Sequence, residues 1–369
     1  MKICHRNISL ILQINLKRNS FFNMYGPSSC GSKILLLLLA SIILWYIYMD
    51  INLYWQIQSY SLSDLVTNET NKYDGGYWVD CEVSPLCEVT PKAVLLDHTN
   101  LYAFAPLVVI TDKILEISKI EWITPNIISV SHVFIAMVSA RCISSSTLAY
   151  QRIGVVLFEF RTFLDDFDGH VARIRKNLRG ELSEIGTTGY YVDGICDALG
   201  TTALLIAIFV FLKNNPPRRG YVKLSLSFGV SESGDNVNYK IPTRILVRTI
   251  IFFSIQLILN SIAWNRYIAF YQESLRITSL DDDKKLLVFK SVQFFAISYL
   301  WRLINVHSET HLLLLAIFCD KLWEFLTRMV FFGFLLLALG VCVTELHVYQ
   351  VMNYVFHLQN GITHAFSNI

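Results

Sequence analysis

From residue 124 to residue 348 the chain is a succession of long apolar segments, and the acid-rich stretch FLDDFDGHVARIRKNLRGELSEIGTTGYYVDGICDALG, at 163–200, lies in their midst. A run of roughly 20 apolar residues is what an α-helix needs to cross the hydrocarbon core of a bilayer. The runs predict helices at about 126–144, 147–172, 186–212, 245–271, 286–305 and 322–348. The short run 312–318 joins the last of them or forms a re-entrant turn. Such a chain is all-α and polytopic in a membrane. The composition agrees, with 53% hydrophobic and only 16% charged residues and a mean hydropathy of +0.44; a soluble domain carries about 25% charge. A net charge of +2 gives nucleic acid no electrostatic attraction, so no nucleic-acid partner is expected, and membrane lipids are the surroundings.

Residues 1–33 carry Lys2, Arg6, Lys17, Arg18 and Lys33 and no acid, and the apolar run ILLLLLASIILWYIYM follows at 34–49. The run lacks the small-residue cleavage site of a secretory leader, and a basic flank stays in the cytosol. An uncleaved signal anchor results, delivering the residues beyond it to the lumen. The expected organisation is a cytosolic tail and signal-anchor helix at 1–52, a lumenal segment at 53–120, a six-helix catalytic core at 121–350 and a C-terminal tail at 351–369. The sequon Asn68-Glu69-Thr70 is usable only in a lumen, whereas Asn7-Ile8-Ser9 would be cytosolic and silent. Cys81 and Cys87 could pair if their segment lies in an oxidising lumen. The eight cysteines show no CxxC pair and no zinc spacing.

Counting from the anchor puts the 144–147 turn and the 213–244 loop on the cytosolic side. Lys213, Arg218, Arg219, Lys223, Lys240 and Arg244 in that loop fit the positive-inside rule. Arg173, Arg175, Lys176 and Arg179 fall on the lumenal side and break it. Either the topology is inverted or an anionic ligand holds these residues.

Asp165 and Asp168 lie three apart near the end of one helix, and Asp193 and Asp197 four apart near the start of the next. Each pair shares a helix face, and the short connection lets all four carboxylates converge at one depth. A charged side chain in the membrane costs about 2.5–3.5 kcal/mol on insertion scales. Four therefore require positive charge, more than Arg173 supplies, and one or two divalent cations would be enough. Hard oxygen donors suit Mg²⁺ or Mn²⁺, and a pair of ions about 3.5–4 Å apart suits phosphoryl chemistry. Gly169, Ala172 and Gly189 leave room for a bulky ligand or let the helices approach closely, and Arg173 offers a fork for a phosphate.

The pattern Asp165-x-x-Asp168-Gly169-x-x-Ala172-Arg173, then Gly189-x-x-x-Asp193-x-x-x-Asp197, resembles the CDP-alcohol phosphotransferase signature at every position that the signature fixes. The TPN at 124–126 is similar to the family's start, and the likeness extends over roughly 120–345. It implies six core helices, two Mn²⁺ or Mg²⁺ ions held by Asp165, Asp168 and Asp193, and a CDP moiety seated by Gly169, Ala172, Arg173 and Gly189. Asp197 would be the catalytic base that accepts the proton of the attacking hydroxyl, with a possible metal contact. The stretch 174–188 is longer than in the common signature, which leaves room for a reshaped head-group or acceptor pocket. With the anchor and the lumenal site, that length most resembles the insect-type ceramide phosphoethanolamine synthases. That likeness implies CDP-ethanolamine and ceramide as substrates, Mn²⁺ and a Golgi membrane. Family members are often dimers, so a homodimer is a further expectation.

Three rivals share these residues. An ethanolamine- or cholinephosphotransferase acting on diacylglycerol, usually with a cytosolic site in the endoplasmic reticulum membrane, has the same site and another acceptor. A divalent-cation transporter would bind metal at the same aspartates without chemistry, and a structural ion-pair network would do neither. Asp166 points about 100° off the shared face and faces water. His170 reads as a head-group neighbour or a solvated side chain. His307 and His311 have i,i+4 spacing but fall in a cytosolic turn away from the acids. Asp281, Asp282 and Asp283 read as a solvated lumenal loop, and Glu181 and Glu184 balance Arg175, Lys176 and Arg179. Trp122, Tyr150 and Trp323 form an interfacial belt.

Overall fold

A computed structural model describes residues 30–59, 83–87, 89–176, 186–215, 241–276 and 282–356, which are almost wholly helical, with no strand among them. The chain divides into two compact units, residues 1–51 and 52–369. Helix α1 (Cys30–Ser59) supplies the described part of the first unit, and from Lys33 onward it is long and apolar enough to cross a membrane. It runs ten residues beyond the expected apolar stretch 34–49. Its end belongs to the second unit: Leu53 and Ile57 are buried, Gln58 Nε2 donates to the carbonyl of Lys290 at 2.7 Å, and Tyr54 meets Phe295 edge-on. Cys87 is disulfide-bonded; Cys81 and both sequons lie outside the described residues.

The second unit begins with short elements: α2 (Pro91–Leu95), a π-helical turn (Asn100–Phe104), α3 (Ala105–Leu115) and a 3₁₀ turn (Ile117–Lys119). Helices this short are marginal by themselves, and a sequence pattern gives them little signal. Tertiary contacts hold them instead. Trp264 Nε1 donates to the carbonyl of Leu95 at 3.0 Å, and buried Arg302 donates to the carbonyl of Leu96 and the hydroxyl of Tyr102, each at 3.0 Å.

The bundle follows as α4 (Pro125–Ile143), α5 (Leu148–Arg175), α6 (Thr188–Asn214), α7 (Thr243–Arg276), α8 (Asp282–Lys290), α9 (Val292–Ile304), α10 (Val306–Phe318) and α11 (Leu322–Phe356). Local chemistry fixes the two starts that matter most. Thr124 accepts from the Ile127 amide at 3.3 Å ahead of Pro125, and Thr187 accepts from the Tyr190 amide at 3.3 Å; both are N-caps. Gly186, at φ 88°, makes the turn into α6 in a region that favours glycine.

Among the described residues five helices are long and apolar enough to cross a membrane, or six if α8 and its bent continuation form one span. Helix α5 carries too many charges to meet that criterion, yet it packs in the bundle as the remaining core helix. Helix α4 is the centre, packing along both α5 and α6 more extensively than any other pair of helices. The approach to α5 needs Gly154: a Cβ there would lie 2.9 Å from the Ser139 carbonyl oxygen and 2.7 Å from Ile143 Cγ1. Ser139 Oγ donates to the Gly154 carbonyl at 2.7 Å across the same crossing. An apolar core including Phe158, Leu204, Ile208, Phe253, Leu313 and Leu326 fills the space between these helices.

Beyond the site, the structure differs from the sequence reading at several points, among them the expected helix 286–305, which is broken at Ser291. The run 312–318 ends α10, which follows α9 after Asn305, so it does not join the last helix; it closes the segment Val292–Phe318, which with α8 forms a bent pair, either one broken span or a re-entrant loop. Asn305 is the reason, since its Oδ1 caps α10 by accepting from the Ser308 amide at 2.8 Å. Asp282 and Asp283 open α8 instead of lying in a loop, where acids favour the helix N-terminus; Asp281 lies outside the described residues. Helix α8 is bent by 50° from the segment beyond it, at Ser291. Trp122 and Tyr150 are exposed, but Trp323 packs in the apolar core because the first turn of α11 enters it.

Candidate active site

Three helix faces meet in the middle of the bundle. On α5, Arg161, Asp165 and Asp168 recur at i, i+4 and i+7; on α6, Asp193, Asp197 and Gly200 do the same; on α4, Ser129 and His132 lie three apart. This spacing stacks side chains on one side of a helix. Asp165, Asp193, Asp197 and His132 each present one donor atom, and these atoms all lie within 4.8 Å of one another. His132 Nε2 stands 3.5 Å from Asp165 Oδ1 and 3.9 Å from Asp168 Oδ2. Asp168, buried, lies outside the tightest group and accepts from Ser129 Oγ at 2.6 Å.

Asp165 Oδ1, Asp193 Oδ1 and both ring nitrogens of His132 are buried without a hydrogen-bond partner among the described residues. Buried polar atoms are rarely left so, and carboxylates cannot satisfy one another without protons. A divalent cation satisfies them together, so the residues present fit a metal site.

Arg161 is the counter-charge that the sequence reading lacks. Its side chain, 6% exposed, is ion-paired with Asp197 across the gap between α5 and α6. The guanidinium lies over the Phe158 ring at 5.6 Å. Gly200 makes its passage possible, since a Cβ there would sit 3.1 Å from Arg161 Nε. The signal was present as a basic residue one turn before Asp165 in a mainly apolar run. Ser129 and His132, three apart just after TPN, were likewise legible as polar residues on an apolar helix.

The acids line one part of a cavity of about 970 Å³. Gly169, Ala172, Arg173 and Gly189 line it too, beside Asn126 and Lys176. At Gly189 an added Cβ would meet only Asn126 Oδ1, at 3.9 Å, so the space that glycine leaves belongs to the cavity. A Cβ at Gly169 would press on Arg173 Nη1 at 3.1 Å. The rest of the wall is apolar, with Leu205, Ile206, Phe209, Leu257, Ile258 and Ile262 from α6 and α7. Ile206 and Ile258 are 58% and 59% exposed, so this wall continues onto the outer surface of the two helices.

Several expectations change here. His307 and His311 are not in a turn away from the acids: both lie on α10 and line the same cavity. Asn305 starts that helix inside the bundle, which carries them in. His311 Nδ1 lies 2.9 Å from Glu159 Oε2 and its Nε2 3.7 Å from Asp97 Oδ2. His170 is not solvated but faces Asp112 on α3, Nε2 to Oδ2 at 3.4 Å. Asp166 lines the cavity yet stands outside the donor group. Of the basic residues after the motif, Arg175 is structural: it donates to the carbonyls of Ser118 at 3.1 Å, Ile120 at 2.7 Å and Ile123 at 2.8 Å, fastening the end of α5 to the turn before α4. Arg179, Glu181 and Glu184 lie outside the described residues.

The family model for ceramide phosphoethanolamine synthase matches residues 24–358. The ceramide phosphoethanolamine synthase of Drosophila melanogaster is 42% identical over 383 aligned residues, covering 90% of this chain and 98% of the relative. The chain belongs to the ceramide phosphoethanolamine synthase family. The match takes in every helix of the second unit, so the membership describes the whole bundle and the cavity within it. Members are membrane-bound transferases of sphingolipid synthesis, in keeping with a multi-pass helical chain that carries an acid cluster suited to a metal. No solved structure matches the chain significantly.

Proposed function

We propose that the protein transfers phosphoethanolamine from CDP-ethanolamine to ceramide, releasing CMP, with a divalent cation at the acid cluster. The observation that carries this reading is one cavity with two unlike walls. Oxygen donors and basic residues occupy one side, and an apolar face reaching the outer surface of α6 and α7 the other. A water-soluble nucleotide donor suits the first and a lipid acceptor the second.

Asp165, Asp168, Asp193 and Asp197 would hold two ions, Mn²⁺ or Mg²⁺. When bound, they neutralise charge on the pyrophosphate and the departing CMP. Gly169, Ala172, Arg173 and Gly189 seat the CDP moiety, Gly189 by the space it leaves and Arg173 by its phosphate-matching fork. The primary hydroxyl oxygen of ceramide bonds to the phosphorus bearing ethanolamine, the bond from that phosphorus to the bridging oxygen breaks, and CMP departs with the electron pair. Asp197 takes the hydroxyl proton, a role typically worth 10²–10⁴-fold. Arg161 holds one of its oxygens and orients the other.

The reading includes a Golgi membrane with the site facing the lumen. The basic N-terminal residues, a disulfide at Cys87 and the Asn68 sequon support that orientation. A homodimer is part of the same proposal.

The test is a detergent-micelle assay with labelled CDP-ethanolamine and Mn²⁺, offering ceramide and diacylglycerol separately, with Asp197→Asn as the inactive control. Product from ceramide alone is expected. Product from diacylglycerol alone overturns the acceptor, and turnover unchanged in Asp197→Asn overturns the catalytic assignment.

A further inference from the structure

We propose that His132 is a nitrogen ligand of the metal site, so that the donor set is mixed nitrogen and oxygen. The inference rests on the metal-dependent reading above and adds a residue that lies outside the aspartate pattern, on a different helix.

The side chain of His132 is wholly buried, at 0% exposure, in the face of α4 that looks into the acid cluster. Neither ring nitrogen has a hydrogen-bond partner among the described residues. Its distances to Asp165 Oδ1, 3.5 Å, and Asp168 Oδ2, 3.9 Å, exceed those of a hydrogen bond. An imidazole so placed has lost its water and gained no hydrogen bond in exchange, which is costly for a polar ring.

The same distances suit a shared cation. Donors around an octahedral ion with bonds of about 2.1 Å lie about 3.0 Å apart when adjacent and about 4.2 Å apart when opposite. The four donor atoms of His132, Asp165, Asp193 and Asp197 all fall within 4.8 Å of one another, so a small contraction brings them onto one ion, with its remaining positions open to water or substrate. Imidazole is a poor match for Mg²⁺, whose usual partners are oxygens, and a good one for transition ions.

The experiment uses the full chain purified in detergent and loaded with Mn²⁺ alone. Pulsed electron paramagnetic resonance reads directly bound nitrogen from its coupling to the manganese electrons. A ¹⁴N coupling in the wild type is expected, changing to the ¹⁵N pattern when histidine is ¹⁵N-labelled. In His132→Ala it should vanish while Mn²⁺ still binds, at least about tenfold more weakly. Mn²⁺ bound without nitrogen coupling overturns the ligand assignment and leaves the aspartate site standing. Failure of the wild type to bind Mn²⁺ or Mg²⁺, with Asp193→Asn behaving identically, overturns the metal reading and this inference with it. The labelled wild type gives its answer even where the alanine variant fails to fold.

Discussion

The guanidinium of Arg161 on α5 donates to Oδ1 of Asp197 on α6, tying together the two helices that carry the acid cluster. Burying one member of a charge pair alone is far worse than burying both. The pair thus lets α6 carry an acid deep in the bundle before any ligand arrives.

Arg161→Ala should lower turnover below about 1% of wild type and destabilise the protein by about 2 kcal/mol, less than a fully buried pair would because Asp197 is 35% exposed. Arg161→Lys keeps the charge and loses the fork, so it should recover stability more than activity. Gly200→Ala tests the same link from the other side, since its Cβ would press on Arg161 Nε at 3.1 Å. Turnover at saturating Mn²⁺ and the melting temperature in detergent check all three. Wild-type turnover in Arg161→Ala would detach the arginine from the site.

Ser129 Oγ lies 2.6 Å from Asp168 Oδ2 and 3.1 Å from the Pro125 carbonyl, and its single proton goes to the shorter contact with the carboxylate. Ser129→Ala leaves Asp168 without that donor. A hydrogen bond to a charged group contributes about 1.5–3 kcal/mol, so kcat/KM should fall roughly 10- to 100-fold. Ser129→Thr, which keeps the hydroxyl, should retain most of the activity. Steady-state kinetics with both variants decide the matter, and equal losses would assign the effect to packing.

The α4–α5 crossing makes a separate prediction about stability. Gly154→Ala places a carbon 2.9 Å from the Ser139 carbonyl oxygen, a backbone atom that cannot swing away. Overpacking of this kind costs about 1–3 kcal/mol. The melting temperature should drop, while turnover per folded molecule stays within about threefold, because the strain lies away from the acids.

The acids were legible in the sequence because their cost in a membrane demands an explanation and their spacing selects one face. Asp165, Asp193 and Asp197 meet as that logic expects, though with α4 rather than direct α5–α6 packing as the common partner. His132, Ser129 and Arg161 were harder to see. Each is a polar residue in a mainly apolar helix, and one sequence does not say whether such a residue faces lipid, core or cavity. The short helices at 91–115 were illegible for another reason: Trp264 and Arg302, far along the chain, satisfy their carbonyls. The inward position of His307 and His311 follows from the cap at Asn305, which ends one helix and begins the next within an apolar stretch.

Orientation is open to a direct chemical check. If the segment after α1 is lumenal, the Asn68-Glu69-Thr70 sequon carries glycan in cells, and peptide N-glycosidase should shift the protein's mobility by about one glycan. Asn68→Gln should migrate like the treated wild type and keep its activity. An unmodified Asn68 would turn the site toward the cytosol, and with it the source of CDP-ethanolamine.

The apolar wall of the cavity makes the last prediction. Ile206 on α6 and Ile258 on α7 line the cavity and are both more than half exposed, so a lipid passing between those helices would slide over them. Ile206→Trp adds bulk there without touching a carboxylate. Its effect should fall on the lipid alone: KM for ceramide rising about tenfold, with KM for CDP-ethanolamine and Mn²⁺ affinity unchanged. The added ring faces an apolar surface, so the fold should hold, and the melting temperature reports on that. Ceramide KM unchanged in both Ile206→Trp and Ile258→Trp would mean that the acceptor reaches the acids by another route. A rise in KM for both substrates would mean that the two walls are not independent, and that α6 moves as a whole when its outer face is filled.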